Sequence, residues 1–272
     1  MIIVAGGDSF IWGTELQDSP HNGPNGYSKK TFPSLLASTH QYVCTAFPGN
    51  SNDAIARNII NYCENNKAED LFVVVCWTFN GRYEFKFNDK WEVINSWSTG
   101  KMYKNSKDKE EEKQNFLVKV FEAKAKQKGI HDFAKIYFDQ VGWSEYWESY
   151  TTIKEIVYLQ NYLNVNSIPY MFTCINNEFH NHTIKSNDVT IQSVFGQIDF
   201  DKWYFFPPAT EEWNTTVPRG FYQWAVENKY KCGPVHHPLE QAHQDAAMLM
   251  QGKFNELVTK SLQSNPTRNT VS

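Results

Sequence analysis

Short apolar segments without polar alternation recur along this chain, and segments with helical periodicity separate them. Uniformly apolar segments of about four to eight residues are typical of strands that are covered on both faces. Strands that alternate with helices form parallel βαβ units with right-handed crossovers. The sequence therefore predicts an α/β protein, a three-layer α/β/α sandwich with a mostly parallel central sheet. The predicted strands are residues 2–5, 42–46, 71–77 and 168–173, with 203–206 as a fifth candidate.

Three longer segments carry apolar residues at the spacing of one helix face. They are residues 51–65, 143–163 and 238–262, and the last has Pro238 in its first turn, a favoured place for proline. Active sites in open parallel sheets lie at the carboxyl ends of the strands. The residues directly after each predicted strand are therefore the first candidates for chemistry.

The alternation of strands and helices is interrupted between residues 85 and 139. This part is rich in Trp, Ser and Asn, then carries mixed charges, and continues with a predicted helix near residues 115–128. We expect one domain over residues 1–263 with an insertion at about 85–139, followed by a flexible polar tail at 264–272. Residues 188–196 are expected to form a loop or a hairpin.

Composition excludes several classes of protein. With 26 Lys and Arg against 30 Asp and Glu the net charge is −4, and no basic stripe is apparent, so no nucleic-acid partner is expected. No apolar segment approaches the roughly 20 residues of a membrane helix, so no membrane partner is expected. The five cysteines contain no CxxC pair, which predicts reduced thiols and no zinc site. The first predicted strand begins at Ile2 without the features of a signal peptide, so we expect a cytoplasmic protein.

The strongest local signal is Gly6-Gly7-Asp8-Ser9, directly after the first predicted strand. The glycines allow a tight turn from strand to helix, which leaves the Ser9 hydroxyl at the carboxyl end of the strand, close to backbone N–H groups. This arrangement suits a nucleophile beside an oxyanion site. The alternative is that Asp8 or Ser9 only caps a helix, and the motif alone does not decide between the two.

Two further segments follow strands in the same way. After the second strand, Gly49 has no side chain to block the approach of a substrate oxygen to its N–H, whereas Asn50 or Asn52 is interpreted as a helix cap. After the third strand, Thr78 or Asn80 is a candidate donor of a further hydrogen bond to the substrate.

Charged residues next to these segments are candidates for contact with the substrate. Asp8 precedes the candidate nucleophile, and Arg82 lies four residues after Thr78. For Arg82 we favour an ion pair with Glu84, and the alternative is contact with an anionic group of the substrate.

The fourth segment is His236-His237-Pro238, at the expected start of the last helix. The helix dipole there disfavours a charged imidazole and keeps the ring ready to accept a proton, as a general base requires. A metal site is the alternative, but no carboxylate lies at a familiar ligand spacing. His243 is interpreted as a capping or buried histidine, and the polar segment 180–182, expected to be a loop, is given no role.

Taken in chain order, Ser9, Gly49, Thr78 or Asn80, and His237 resemble the four blocks of the SGNH/GDSL hydrolase superfamily, and most closely its members from large tailed phages. The resemblance covers most of the chain. It implies a flavodoxin-like SGNH hydrolase fold and a serine esterase or deacylase that needs no metal or organic cofactor.

The resemblance also implies roles for these residues. Ser9 would attack an acyl carbonyl, and His237 would take its proton and then protonate the leaving alcohol, with His236 as the alternative base. The oxyanion would be bound by the N–H groups of Ser9 and Gly49 and by a side chain of the third block, either Thr78 or the asparagine two residues later.

The sequence departs from the family pattern at two positions. Thr78 stands where the family has an asparagine, and Pro234 stands where the family has the aspartate that orients the histidine. An imidazole without a carboxylate loses orientation and stabilisation of its charged form.

Three functions therefore stay open. The first is hydrolysis of an ester-linked acyl group, for example O-acetyl on a glycan. The second is an inactive relative that binds glycan or forms a structural phage component, and the third is acyl transfer to an alcohol. We favour hydrolysis because Ser9 and His237 are both present.

Aromatic residues make up 15% of the chain and include 9 Trp, which suits a sugar-binding surface, although rings more often fill cores. The expected partner is a small-molecule or glycan acyl ester. If a phage encodes the chain, its location is the host cytoplasm or the virion. The sequence leaves the oligomeric state open.

Overall fold

A four-stranded parallel sheet forms the centre of the computed structural model, which describes residues 1–19, 26–100, 111–209 and 219–264. Its strands lie in the order β2-β1-β3-β6, and all three pairings are parallel. This is the strand order of flavodoxin-like folds, in which the order of strand addition reverses at a switch point between β1 and β3. The strands are β1 (Ile2–Gly6), β2 (Gln41–Cys44), β3 (Leu71–Trp77) and β6 (Tyr170–Cys174).

Both faces of the central strands are buried, which explains their uniformly apolar sequences. All seven residues of β3 are buried. Phe72 and Val74 pack into one apolar core, and Val73 and Val75 pack into a second core on the opposite face. The alternation follows from the two-residue period of a strand.

Helices cover each face of the sheet. On one side lie α3 (Asn52–Asn65) and α6 (Glu145–Val165), joined there by α7 and α8. The other side carries α1, α2, α9 and α10 (Glu240–Ser264). The three layers confirm the predicted α/β/α sandwich. The shorter helices are α1 (Ser9–Trp12), α2 (Phe32–Leu36), α7 (Glu178–Ile184), α8 (Val189–Phe195) and α9 (Phe221–Glu227).

The predicted insertion contains more regular structure than its composition indicated. An antiparallel hairpin of β4 (Arg82–Phe87) and β5 (Lys90–Asn95) starts shortly before the predicted boundary at residue 85, and its turn residues Asn88 and Asp89 both have positive φ. Positive φ at both turn positions suits a two-residue hairpin. Helices α4 (Glu111–Gln127) and α5 (His131–Tyr137) follow, and a small third core joins them to the hairpin.

Four local predictions need correction. Residues 188–196 form helix α8 rather than a loop, because Asp188 caps it by accepting a hydrogen bond from the Ile191 N–H at 2.9 Å. The 180–182 segment lies inside α7. The fifth strand candidate is reduced to two isolated bridges, one between Trp203 and Phe172 and one between Phe206 and Arg219. The last helix begins at Glu240, two residues after Pro238.

The remaining expectations concern the whole chain. Its single-domain organisation stays a prediction, and most of the predicted tail lies outside the described residues. All five cysteines are free thiols. Within the part of the chain that the structure describes, no helix has the length and apolar character to cross a lipid bilayer.

Candidate active site

The turn after β1 places Ser9 at the carboxyl end of the sheet. A side chain on Gly7 would collide with Ile11, so this turn requires glycine. Asp8 is fully buried and caps α1, because its carboxylate accepts a hydrogen bond from the Phe10 N–H at 3.1 Å. The alternative role of this motif, helix capping, therefore falls to Asp8, and the Ser9 hydroxyl is left for other contacts.

Ser9 and His237 are in direct contact although 228 positions separate them. The Ser9 Oγ lies 2.8 Å from His237 Nε2, as expected from the sequence. The ring of Phe10 packs edge-on against the imidazole with 4.7 Å between ring centroids. The imidazole is therefore positioned by packing against Phe10 as well as by its hydrogen bond to Ser9.

A carboxylate that the sequence did not indicate completes this arrangement. Glu15 Oε2 lies 2.9 Å from His237 Nδ1. If the imidazole donates from Nδ1 to the carboxylate, Nε2 is left to accept the Ser9 proton, and the two partners thereby fix the tautomer. The order of groups is hydroxyl, imidazole and carboxylate, the order of a catalytic triad.

Backbone geometry on both sides holds Glu15 in place. Its carboxylate also accepts hydrogen bonds from the N–H groups of Val235 at 2.9 Å and His237 at 3.0 Å. A Cβ on Gly233 would lie 2.5 Å from the Glu15 carboxyl carbon, so only glycine allows this approach. Glu15 itself has a φ of 73°, in the left-handed region. Because Glu15 supplies a carboxylate to His237, none is needed at position 234.

Glu15 was missed because the family pattern places the acid three residues before the histidine. Here the acid comes six residues after the nucleophile, on the opposite end of the chain from His237. Two features of the sequence could have indicated this acid. They are a glutamate in the short polar segment after Gly13 and the presence of Gly233 close to the histidines. The expected effect of a helix dipole on His237 does not apply, since α10 begins only at Glu240. The Glu15 carboxylate acts on the imidazole instead.

The other two histidines of this region do not contact Ser9. His236 has a φ of 68°, and its N–H closes a turn by donating to the Gly233 carbonyl at 3.0 Å. His243 is fully buried, and its Nδ1 accepts a hydrogen bond from the Phe32 N–H at 3.2 Å. Burial lowers the pKa of His243 to about 3, so this ring is neutral. His236 is thus not the base in contact with Ser9, and His243 is the buried histidine that the sequence predicted.

Arg82 connects the first three blocks. Its Nη1 lies 3.0 Å from Asp8 Oδ2, 3.0 Å from Thr78 Oγ1 and 3.1 Å from the Asn50 carbonyl oxygen. The favoured pairing with Glu84 is therefore wrong. Glu84 instead makes a bidentate ion pair with Arg57, with both N–O distances at 2.7 Å.

The two candidate donors of the third block differ in their contacts. The Thr78 hydroxyl donates to Asp8 Oδ2 at 2.6 Å, which leaves no hydroxyl proton for a substrate. Asn80 Oδ1 accepts from the Thr152 hydroxyl on α6 at 3.0 Å, whereas the buried Asn80 Nδ2 has no hydrogen-bond partner within the described residues. The geometry of Thr78 does not support the expected oxyanion role, and the role of Asn80 stays a prediction.

The loop after β2 brings Gly49 and Asn50 to the site. Gly49 has a φ of 87°, a conformation that favours glycine. Asn50 is buried, and its side-chain amide donates to the Gly7 carbonyl at 3.0 Å. The interpretation of Asn50 or Asn52 as the cap of α3 is wrong, because the Ser51 hydroxyl accepts the Ala54 N–H instead.

One buried carboxyl outside the triad lies beside the turn that leads to Arg82. An ideal Cβ on Gly81 would be 3.0 Å from Glu148 Oε1. The Glu148 residue is only 7% exposed. Burial, together with the nearby Glu178 and Glu145, raises the pKa of Glu148 to about 7. Glu148 therefore titrates near neutral pH.

Within the described residues, no group of three or more His, Cys, Asp or Glu side chains is placed to hold a metal ion. The chemistry that the arrangement itself offers is transfer of a proton from a serine hydroxyl to an imidazole whose charged form a carboxylate stabilises.

Comparison with solved structures finds three similar chains, one of them an esterase. No protein-family model matches the chain, and no curated protein matches it. The fold is similar to that of the psychrotrophic esterase EstA from Pseudoalteromonas sp., in a crystal structure inhibited by monoethylphosphonate. The similarity covers 96% of this chain and 98% of the esterase, at 10% sequence identity and a TM-score of 0.44.

Proposed function

We propose that this protein is a serine hydrolase that cleaves acyl esters. The observation that carries the proposal is the continuous contact of Ser9, His237 and Glu15, at 2.8 and 2.9 Å. Ser9 is the nucleophile, His237 is the general base and acid, and Glu15 orients the imidazole and stabilises its charged form. A positioned base of this kind contributes roughly 10²- to 10⁴-fold in rate.

The reaction proceeds in two half-reactions. Ser9 Oγ forms a bond to the acyl carbonyl carbon while its proton moves to His237 Nε2, and the tetrahedral adduct collapses as the imidazolium protonates the departing alcohol. Water then attacks the acyl-enzyme and gives its proton to His237. The carboxylic acid leaves, and the proton returns from the imidazolium to Ser9 Oγ.

Oxyanion stabilisation falls to the loops after β1 and β2. We assign it to the N–H groups of Ser9 and Gly49, neither of which donates a hydrogen bond within the described residues. Asn50 replaces Thr78 as the third donor, since its amide carries a second N–H beyond the one given to Gly7. One such donor is typically worth roughly 10² to 10³ in kcat, about 3 to 4 kcal/mol.

Asp8 and Arg82 act as positioning residues rather than as contacts to the substrate. Asp8 holds the turn that carries Ser9, and Arg82 joins this aspartate to the Asn50 carbonyl of the second block. The ion pair is largely buried, with exposed fractions of 16% for Arg82 and 0% for Asp8. These contacts fix the relative positions of nucleophile and oxyanion donors.

The alternative of an inactive relative depended on the missing aspartate at Pro234. Glu15 supplies the carboxylate from another part of the chain, which removes the reason for that alternative. Acyl transfer uses the same three residues, and the outcome depends on whether water or an alcohol meets the acyl-enzyme. An O-acetyl group on a glycan stays our narrower proposal for the substrate, and location in a cytoplasm or virion stays a prediction.

The proposal is tested with p-nitrophenyl acetate and a fluorophosphonate probe on the wild type and on Ser9→Ala. We expect the wild type to turn over the ester and to be labelled, and Ser9→Ala to lose both. Equal turnover by the variant, or a wild type that is not labelled, would contradict a serine hydrolase. Product analysis with added alcohols separates transfer from hydrolysis.

A further inference from the structure

A cavity of about 700 Å³ lies beside the proposed catalytic site and shares one wall with it. Helix α3, the loop after β2, strand β5 and helix α4 line it, so the insertion forms one side of the cavity. Gly49 and Asn50 belong to its lining, whereas Ser9 and His237 do not. Asn50 also contacts the Gly7 carbonyl, two residues before Ser9. The cavity is therefore adjacent to the nucleophile but outside the triad.

One wall of the cavity is a row of neutral amide side chains on α3. Asn58, Asn61 and Asn65 follow one another at intervals of three and four residues, which places them on one helix face. The side-chain amide of Asn61 has no hydrogen-bond partner within the described residues, and the weak contact of Asn58 to the Thr45 carbonyl is 3.5 Å long. Amides both donate and accept, which is the pattern that matches hydroxyl groups.

Aromatic rings line the rest of the cavity. Trp91 on β5 is 49% exposed and Phe47 in the loop after β2 is 58% exposed. Tyr62 on α3 and Phe121 on α4 add two half-buried rings. Large rings that stay exposed beside hydrogen-bonding groups suit a ligand with both apolar C–H faces and polar edges.

Most charges in the cavity neutralise one another. Arg57 pairs with Glu84, and Lys128 pairs with Glu92. Arg57 also lies over the Trp91 ring, 4.9 Å from its centroid. Lys124 is the remaining charged lining residue, which leaves little net charge to select an anion. The lining therefore favours a neutral ligand over a nucleotide or an acidic chain.

We propose that this cavity binds a neutral, hydroxyl-rich chain, an oligosaccharide, and that Ser9 removes an acyl group from a sugar of that chain. The amide row hydrogen-bonds the hydroxyl groups, and Trp91 packs against the apolar face of a sugar ring. The second half of the proposal rests on the proposed hydrolase function, whereas binding itself does not depend on Ser9.

The experiment uses the full chain with Ser9→Ala, which keeps ligands intact. Binding is measured on an array of neutral and acidic oligosaccharides, and the best neutral ligand is then titrated in solution. Asn61→Ala removes one amide of the row and Trp91→Ala removes the packing surface. Tyr158→Ala and Asn255→Ala are matched controls, because both positions are exposed and lie outside the lining.

We expect at least one neutral oligosaccharide to bind, with an affinity at least tenfold weaker in both cavity variants and unchanged in both controls. No binding of any neutral oligosaccharide, stronger binding of acidic ones, or binding that survives both cavity variants would overturn the proposal. Fluorophosphonate labelling of the wild type is scored separately, so failure of the cavity proposal and failure of the hydrolase proposal are distinguishable.

Discussion

Glu15→Gln removes one negative charge from the site while it keeps the length of the side chain. The carboxylate lies 2.9 Å from His237 Nδ1, and each of the two side chains is 11% exposed. At an effective dielectric constant of about 20, a charge pair at this distance is worth roughly 6 kcal/mol, or about four decades in rate. Because solvent reaches both groups, we expect kcat for p-nitrophenyl acetate to fall about 10³- to 10⁴-fold.

The hydrogen bonds of Glu15 also predict a loss of activity in Glu15→Gln. The carboxylate of Glu15 accepts from the Val235 N–H, the His237 N–H and His237 Nδ1. A glutamine has only one accepting oxygen, so its amino group must face at least one of these donors or force the imidazole into the wrong tautomer.

The assay compares kcat and the rate of fluorophosphonate labelling in Glu15→Gln, the wild type and Glu240→Gln. Glu240 is the matched control, because its carboxylate accepts the Gln17 N–H at 2.6 Å in the same region without contacting His237. Circular dichroism verifies that each variant folds. A folded Glu15→Gln that retains more than a tenth of the wild-type kcat would refute the role assigned to Glu15.

Three further changes test other parts of the account. Thr78→Val removes a buried hydrogen bond to Asp8, so thermal unfolding should show a loss of about 1 to 3 kcal/mol of stability. We expect kcat to change less than tenfold. A 10²-fold loss of kcat would instead identify Thr78 as an oxyanion donor. Gly233→Ala places a methyl group against the Glu15 carboxylate, so esterase assays should show a loss similar to that of Glu15→Gln, and wild-type kinetics would contradict the close approach. For Glu148 the raised pKa means that the folded state binds the extra proton, so the free energy of unfolding should fall by about 3 kcal/mol as pH rises from about 4.5 to 7. Glu148→Gln should flatten this slope in denaturant titrations, and an unchanged slope would contradict the assignment.

The layered fold was predictable because burial leaves a direct trace in the sequence. Strand β3 has seven buried residues, and the apolar segment at 71–77 predicted both of its ends correctly. Segments whose partners come from the surrounding structure were harder to predict. Helix α8 depends on its Asp188 cap and on packing of Ile191 into the core, although its β-branched residues favour a strand.

The candidate site was predictable only in part, for the same physical reason. Ser9 follows a strand and His237 precedes a helix, so the position of each could be inferred from local patterns. The contact of Glu15 with His237 joins residues 222 positions apart and depends on the left-handed backbone of Glu15 and on the missing Cβ of Gly233. Periodicity along the chain carries no information about such a contact.

Mass spectrometry of the protein after reaction with the fluorophosphonate tests the central claim most directly, because it reports which side chain acted as the nucleophile. We predict a single adduct, located by peptide mapping on Ser9 and absent after Glu15→Gln at the same exposure time. An adduct on another residue, or an unmodified protein after prolonged exposure, would contradict the account.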